Sequence, residues 1–271
     1  MSMLRSLAFL RPLALALCFI GLIACSEADE KPYVEQPVEE LYNDAMNALQ
    51  QKDYGEAARL FDEVERQHPY SNWASKAQLM AAFSHYQSYK YDDAINTLDR
   101  FIQIHPGHPD ISYAYYLKAL CYYEQISDVR RDQLDTKKAM EALQDVTRRF
   151  PTTPYARDAE LKLALARDHL AGKEMEIGRY YLSQKQYIAS LGRFRKVIED
   201  YQTTSHVPEA LHRLVEANLA LGIPKEAKIA AAVLGHNFPG SKWYQDSYAL
   251  LTKQNLKPED DGSSWLSHAF K

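Results

Sequence analysis

An all-α chain of five stacked helix pairs is the fold this sequence predicts, and three observations carry it. A turn phrase recurs five times, a helix phrase precedes each turn in constant phase, and no Val/Ile-rich run of strand length lies between them. A parallel α/β fold would need such strands between its helices.

The turn phrases are "QHPYSNWASKA" (67–77), "IHPGHPDISYA" (104–114), "FPTTPYARDAE" (150–160), "YQTTSHVPEAL" (201–211) and "FPGSKWYQDSY" (238–248). Each has an aromatic residue or histidine, a proline (Gln202 in the fourth), a short polar turn and the start of an Ala-containing helix. Upstream lie "KDYGEAARLFDEV", "YKYDDAINTLDRF", "LDTKKAMEALQDV", "QKQYIASLGRFRKV" and "GIPKEAKIAAAVL". Counting back twelve from the turn gives a small residue each time: Ala57, Ala94, Ala139, Ser190 and Ala227. Counting back eight gives Phe61, Leu98, Leu143, Phe194 and Ala231. In the second copy Ala94, Leu98, Phe101 and Ile102 keep the spacing of one helix face, and alanine at the crossing lets the paired helix come close. Pro109, Pro154, Pro208 and Pro224 are expected at first helical positions, where the missing N–H has no intrahelical partner, with Thr153 and Ser241 as N-caps.

The turn positions 69, 106, 151, 202 and 239 are separated by 37, 45, 51 and 37 residues. The 45-residue gap holds a polar extension, "YYEQISDVRRDQLD" (122–135), between the two helices of the third pair. The 51-residue gap is a helical pattern from about Tyr155 to Ser183 without proline and with only Gly172 and Gly178. It predicts one long helix, or two nearly collinear ones, joining three N-terminal pairs to two C-terminal pairs. The expected order is a leader over 1–24, a flexible acidic tether over 25–37, repeats over 38–154, the joining helix with two repeats over 155–252, and a polar tail over 253–271. Disorder is the expectation for the tail; its Trp265, Leu266 and Phe270 leave a docking peptide as the alternative.

The leader rests on Arg5 and Arg11 followed by an apolar stretch from Leu13 to Ile23, too short to span about 30 Å of hydrocarbon. Without residues 1–24 the chain keeps 30 basic and 36 acidic residues, a formal charge of −6, which does not favour nucleic acid. Cys18 would leave with the leader. Cys121, in an apolar Tyr-rich helix, reads as a small buried hydrophobe, so no intrachain disulfide framework is expected. No glycine-rich phosphate loop or serine-nucleophile motif occurs, and the two histidines of "HPGH" (105–108) fit turn and cap roles. Neither a catalytic residue, a metal nor a cofactor is therefore assigned.

Tyrosine occurs 19 times. Tyr70, Trp73, Tyr86, Tyr89 and Tyr91 cluster around the second repeat and are candidates to line a groove for an extended, aromatic-rich peptide. Ordinary packing between helices is the alternative for each.

The repeat pattern resembles the tetratricopeptide repeat, whose unit is 34 residues, and that resemblance implies a right-handed α-solenoid. Leu22-Ile23-Ala24-Cys25 resembles a lipobox, which makes Cys25 a lipidated first residue; an ordinary signal peptide or an uncleaved anchor are the alternatives. "RDHLAGKEMEIGRYYLSQKQYIASLGRFRKVIEDY" (167–201), with "YYEQISDVRRDQLDT" and the five-repeat layout, resembles the BamD family, lipoproteins of the outer-membrane β-barrel assembly machine. The resemblance implies a non-enzymatic scaffold, lipid-anchored to the outer membrane and facing the periplasm. Ser26, where aspartate would favour the inner membrane, agrees. It also implies three partner classes: the periplasmic domain of the barrel-forming subunit at the C-terminal repeats, accessory lipoproteins, and unfolded barrel precursors at the N-terminal repeats. Arg193 stands where the family carries a partner-pairing base, and Arg179 and Arg195 are further partner-binding candidates. The plain alternative for Arg193 is a solvated side chain or a pair with Glu199 or Asp200. A repeat scaffold of another envelope complex, for division or transport, is the alternative function.

Overall fold

The computed structural model describes residues 35–270, so the leader, Cys25 and nearly all of the tether lie outside the described residues. From Val38 onward, helices follow one another in pairs. α1 (Val38–Gln50) pairs with α2 (Tyr54–Gln67), α3 (Ala74–Gln87) with α4 (Tyr91–Ile104), and α5 (Ile111–Tyr123) with α6 (Leu134–Arg149). α7 (Pro154–Ser183) pairs with α8 (Tyr187–Asp200), and α9 (Val207–Ala220) with α10 (Pro224–Asn237); α11 (Lys242–Thr252) and a 3₁₀ turn (Trp265–His268) follow. Each helix from α1 to α11 packs on the next, and α5 also packs on α7 and α9 on α11. Among the described residues no helix is long and apolar enough to cross a membrane.

The repeat phase is a burial phase. All ten residues at the two repeat positions, from Ala57 and Phe61 to Ala227 and Ala231, are completely buried. The helix ends repeat as well. His68, His105, Phe150, Tyr201 and Phe238 cap α2, α4, α6, α8 and α10 with φ between −121° and −136° and ψ between 41° and 55°. Proline after the cap disfavours continued helix in the preceding residue. Tyr201, followed by Gln202, adopts the same geometry, with its N–H on the Val197 carbonyl.

Within four of the pairs the connection turns through a left-handed residue: Lys52 (φ 62°), Tyr89 (60°), Lys185 (57°) and Gly222 (72°). The next N–H then reaches back five residues, as in Lys90 to His85 (2.9 Å) and Gln186 to Tyr181 (2.9 Å), the bond of a Schellman cap. Only one of the four is glycine.

Thr153 and Ser241 cap α7 and α11, accepting from the Ala156 and Tyr244 amides. Pro154 and Pro224 open their helices, but Pro208 is the second residue of α9, and Pro109 precedes α5 by two residues. At Pro109 the expectation of a first helical position is corrected. A turn closes first, with the Ile111 amide on the His108 carbonyl at 3.0 Å, and the helix begins after it.

The extension between α5 and α6 folds back on α7. Lys173 Nζ donates to the carbonyls of Arg130 (3.0 Å) and Arg131 (3.2 Å), and Val129 packs over Gly172. α7 is one continuous helix of 30 residues, about 45 Å at 1.5 Å per residue. Its Ala159 and Leu163 join the cluster of Leu143 and Val146; its Ala171 and Met175 join the cluster of Phe194, Val197 and Leu211. Cys121 is buried, and burial pushes its thiol up to about 12.

The disorder expected after residue 252 is corrected. Leu266 is buried in the C-terminal cluster, and Trp265, Ala269 and Phe270 pack against it. The apolar residues that end this otherwise polar stretch find the surface of α8–α10, which the sequence does not reveal as a groove.

Gly178 sets the α7–α8 distance. A Cβ there would lie 2.5 Å from Cε1 of the buried Phe194, and overpacking of this kind typically costs about 1–3 kcal/mol. Gly178→Ala is expected to lower the midpoint of thermal unfolding followed by circular dichroism, and Phe194→Leu in the same chain to recover part of the loss.

Candidate functional site

The predicted aromatic cluster divides into three. Tyr86, Tyr89 and Tyr91 meet, with ring centroids 5.8 Å apart for Tyr86–Tyr91 and 6.3 Å for Tyr89–Tyr91. Trp73 instead packs against Tyr42 of α1, with tilted rings 4.7 Å apart, and Tyr70 is fully exposed in the turn after α2. The three that meet do so because Tyr86 ends α3, Tyr91 begins α4 and Tyr89 sits in the tight turn between them.

The aromatic surface continues where the sequence reading did not place it. Tyr113 and Tyr116, three apart on α5, both lie against Tyr155 of α7, at 5.6 and 5.2 Å. Tyr116 donates to Asp158, and Tyr86 to Glu124 at 3.4 Å. Burial, with the Glu124 carboxylate, pushes Tyr86 up to about 12. These phenols stay protonated and act as donors. The i, i+3 spacing of Tyr113 and Tyr116 was the available signal; Tyr155 is far in sequence and gave none.

Tyr89 is 80% exposed and left-handed. That backbone costs a non-glycine residue about 1–2 kcal/mol, a cost that Lys52 and Lys185 also meet at the equivalent turns.

The three arginines of the C-terminal half do not gather into one patch. Arg193 turns toward α7, where Glu174 accepts from Arg193 Nη1 (3.0 Å) and Lys196 Nζ (2.8 Å). The partner is therefore neither Glu199 nor Asp200, because the α7–α8 register places a nearly buried carboxylate beside it. Arg179 bridges Glu176 (2.9 Å) and Glu209 of α9 (3.1 Å). Arg195 lies over the Trp265 ring at 4.4 Å and pairs with Glu199 at 2.7 Å. About two-fifths of the Arg193 side chain remains exposed, so its guanidinium keeps a face for a second carboxylate. Glu174 and Lys196 were missed by the sequence reading.

Ser247, His212 and Glu216 have the connectivity of a hydrolytic triad: His212 Nδ1 is 2.8 Å from Ser247 Oγ and Nε2 is 3.6 Å from Glu216. Ser247 is fully buried and Trp243 lies tilted against the His212 ring at 5.2 Å, so no substrate reaches the hydroxyl. The three pin α11 to α9. Among the described residues no cluster of His, Cys, Asp and Glu has the form of a metal site.

Comparison with known proteins places residues 34–234 in the family described as YfiO, outer membrane lipoprotein. The chain is 51% identical over 249 residues to the outer membrane protein assembly factor BamD of Caulobacter vibrioides, covering 91% of this chain and 82% of the relative. It is 45% identical over 238 residues to the protein of that name from Rickettsia prowazekii, covering 87% and 95%. Among solved structures, the P58(IPK) TPR domain matches with TM-score 0.42 and 12% identity over 85% of this chain and 62% of that one.

Burial alone would raise the Glu174 carboxyl, but hydrogen bonds from Lys196 and Arg193, with their charges, hold it below the usual glutamate range. A depressed folded pKa stabilises above the unfolded value of about 4.5, and the contribution disappears as pH falls through the lower folded value. Glu174→Gln is expected to cost about 2 kcal/mol at neutral pH. In denaturant titrations, the difference from the unaltered chain should be full above about pH 5 and shrink steadily below about pH 4.

Proposed function

We propose, because this chain belongs to the BamD family of outer-membrane protein assembly factors, that its two halves carry two separable binding surfaces. It is an outer-membrane lipoprotein and a member of the β-barrel assembly complex, and it works as a scaffold without chemistry of its own. That membership decides against a division or transport scaffold. In our reading Cys25 carries the lipid, and the acidic tether lets residues 38–252 reach their partners in the periplasm.

The N-terminal surface receives unfolded barrel precursors. The tyrosine belt from Tyr89 through Tyr86 and on to Tyr113, Tyr116 and Tyr155 supports this, because phenols give an aromatic-rich strand both apolar area and donors at modest entropic cost. The exposed ring of Tyr89 is the observation that carries it: a left-handed turn position that the other pairs fill with lysine or glycine here presents an aromatic ring to solvent.

The C-terminal surface docks the periplasmic domain of the barrel-forming subunit. Arg193, anchored by the Glu174 carboxylate and partly open to solvent, supplies the cation. A bound acid would share an already oriented guanidinium, so little side-chain entropy is lost on docking. Arg179 has the same form, held between Glu176 and Glu209. Accessory lipoproteins meet the apolar stripe that α7 exposes at Leu161 and Leu165.

Two variants separate the surfaces. Arg193→Glu is expected to reduce recovery of the barrel-forming subunit in affinity purification from detergent-solubilised membranes at least tenfold; undiminished recovery removes Arg193 from the interface. Tyr89→Gly relieves about 1–2 kcal/mol of left-handed cost against about 0.5–1 kcal/mol of glycine entropy. It should therefore raise the thermal midpoint while weakening capture of a synthetic aromatic-ended strand peptide. A residue that only packs would not combine a gain in stability with a loss of binding.

A further inference from the structure

The segment after α11 crosses three helices. It leaves α11 through the left-handed Asn255, turns again at the left-handed Gly262, and lays Trp265 and Leu266 between α8, α9 and α10. The groove beneath is lined by Leu191, Gly192, Arg195, Leu214, Asn218 and Ala230. Its polar contacts run in one order along the segment. Glu259 pairs with Lys228 (2.5 Å) and Asp261 with Lys225 (3.1 Å) at the edge of α10. Ser264 Oγ donates to Glu226 (2.7 Å), Arg195 covers the Trp265 indole, and Gln202 Nε2 donates to the Ala269 carbonyl (2.7 Å).

Three features distinguish this from an ordinary last element of the fold. Leu266 is the one large side chain of residues 253–270 that is fully buried, whereas α8, α9 and α10 each bury several. The ion pairs are largely exposed and hold little. The groove is also incompletely covered: open clefts of about 500 Å³ and 390 Å³, walled in part by the segment itself, lie on the two sides of Leu266. A Cβ added at Gly192 would meet nothing within 4 Å.

We infer that the α8–α10 groove is a peptide-binding site and that residues 258–270 are its intramolecular ligand, a latch that a partner peptide of the same chemistry displaces. The partner is a segment with a short acidic run followed, about three residues later, by an aromatic–aliphatic pair. The lysines of α10 take its acids, Arg195 its ring, and Leu214 and Ala230 its aliphatic side chain. The contacts that carry this are those of the latch and do not depend on which protein Arg193 meets. Release of the latch uncovers the Arg195 guanidinium, which stays paired with Glu199.

The test uses the full chain with Trp265→Ala and Leu266→Ala together, and a labelled synthetic peptide of residues 258–271 as probe, followed by fluorescence anisotropy. The opened chain should bind the peptide at least tenfold more tightly than the unaltered chain, and a peptide carrying the same two substitutions should not bind. Arg195→Ala, which loosens the latch but also weakens the site, should show intermediate binding. Failure of the opened, helical chain to bind the peptide overturns the inference. So does loss of the α8–α10 fold on opening, since a latch leaves without taking the groove with it.

Discussion

The structure depends on α7 staying one unbroken helix. Its first half packs on α6 and completes the third pair, and its second half packs on α8 and begins the fourth, so two hydrophobic clusters share one rigid axis. A helix of about 45 Å does not bend sharply without a proline, a bulge or an inserted side chain, and none interrupts residues 154–183. The close approach at Gly178 then fixes where α8 sits, and α8 in turn positions Arg193 and Arg195.

Away from α7 the array follows a local rule applied repeatedly. A small residue at the crossing and an apolar one a turn later, larger in four of the five, are buried in every pair, an aromatic or histidine ends the second helix, and a left-handed turn joins the helices of four pairs. Where a residue departs from the least costly choice, it is informative. Lys52 and Lys185 take the left-handed position with a polar chain in solvent, but Tyr89 takes it with a large ring exposed. Glu174 is buried and charged, and two cations from α8 balance it.

The pairs were legible because helix packing has a short period and the repeat multiplies it fivefold: Ala57 and its counterparts could be aligned without any knowledge of the third dimension. The long helix and the side-chain caps Thr153 and Ser241 were legible for the same local reasons. What escaped depends on contacts between distant segments. Tyr155 meets Tyr113 and Tyr116 only once α7 lies beside α5. Arg193 finds Glu174 only through the α7–α8 register. The polar composition of 253–264 reads as disorder, because its order comes from a groove made by three other helices. Of the aromatic candidates, those local to the α3–α4 turn came together, and Tyr70 and Trp73, separated from them by a helix, did not.

The claim that most needs testing is that the two surfaces serve different partners. Site-specific photocrosslinking in living cells, with the reactive residue placed at position 89 in one strain and at 193 in another, addresses it directly. The account predicts non-overlapping products: a ladder of newly made barrel proteins at position 89, present only during their synthesis, and one resident membrane subunit at position 193. The same products at both positions would contradict it.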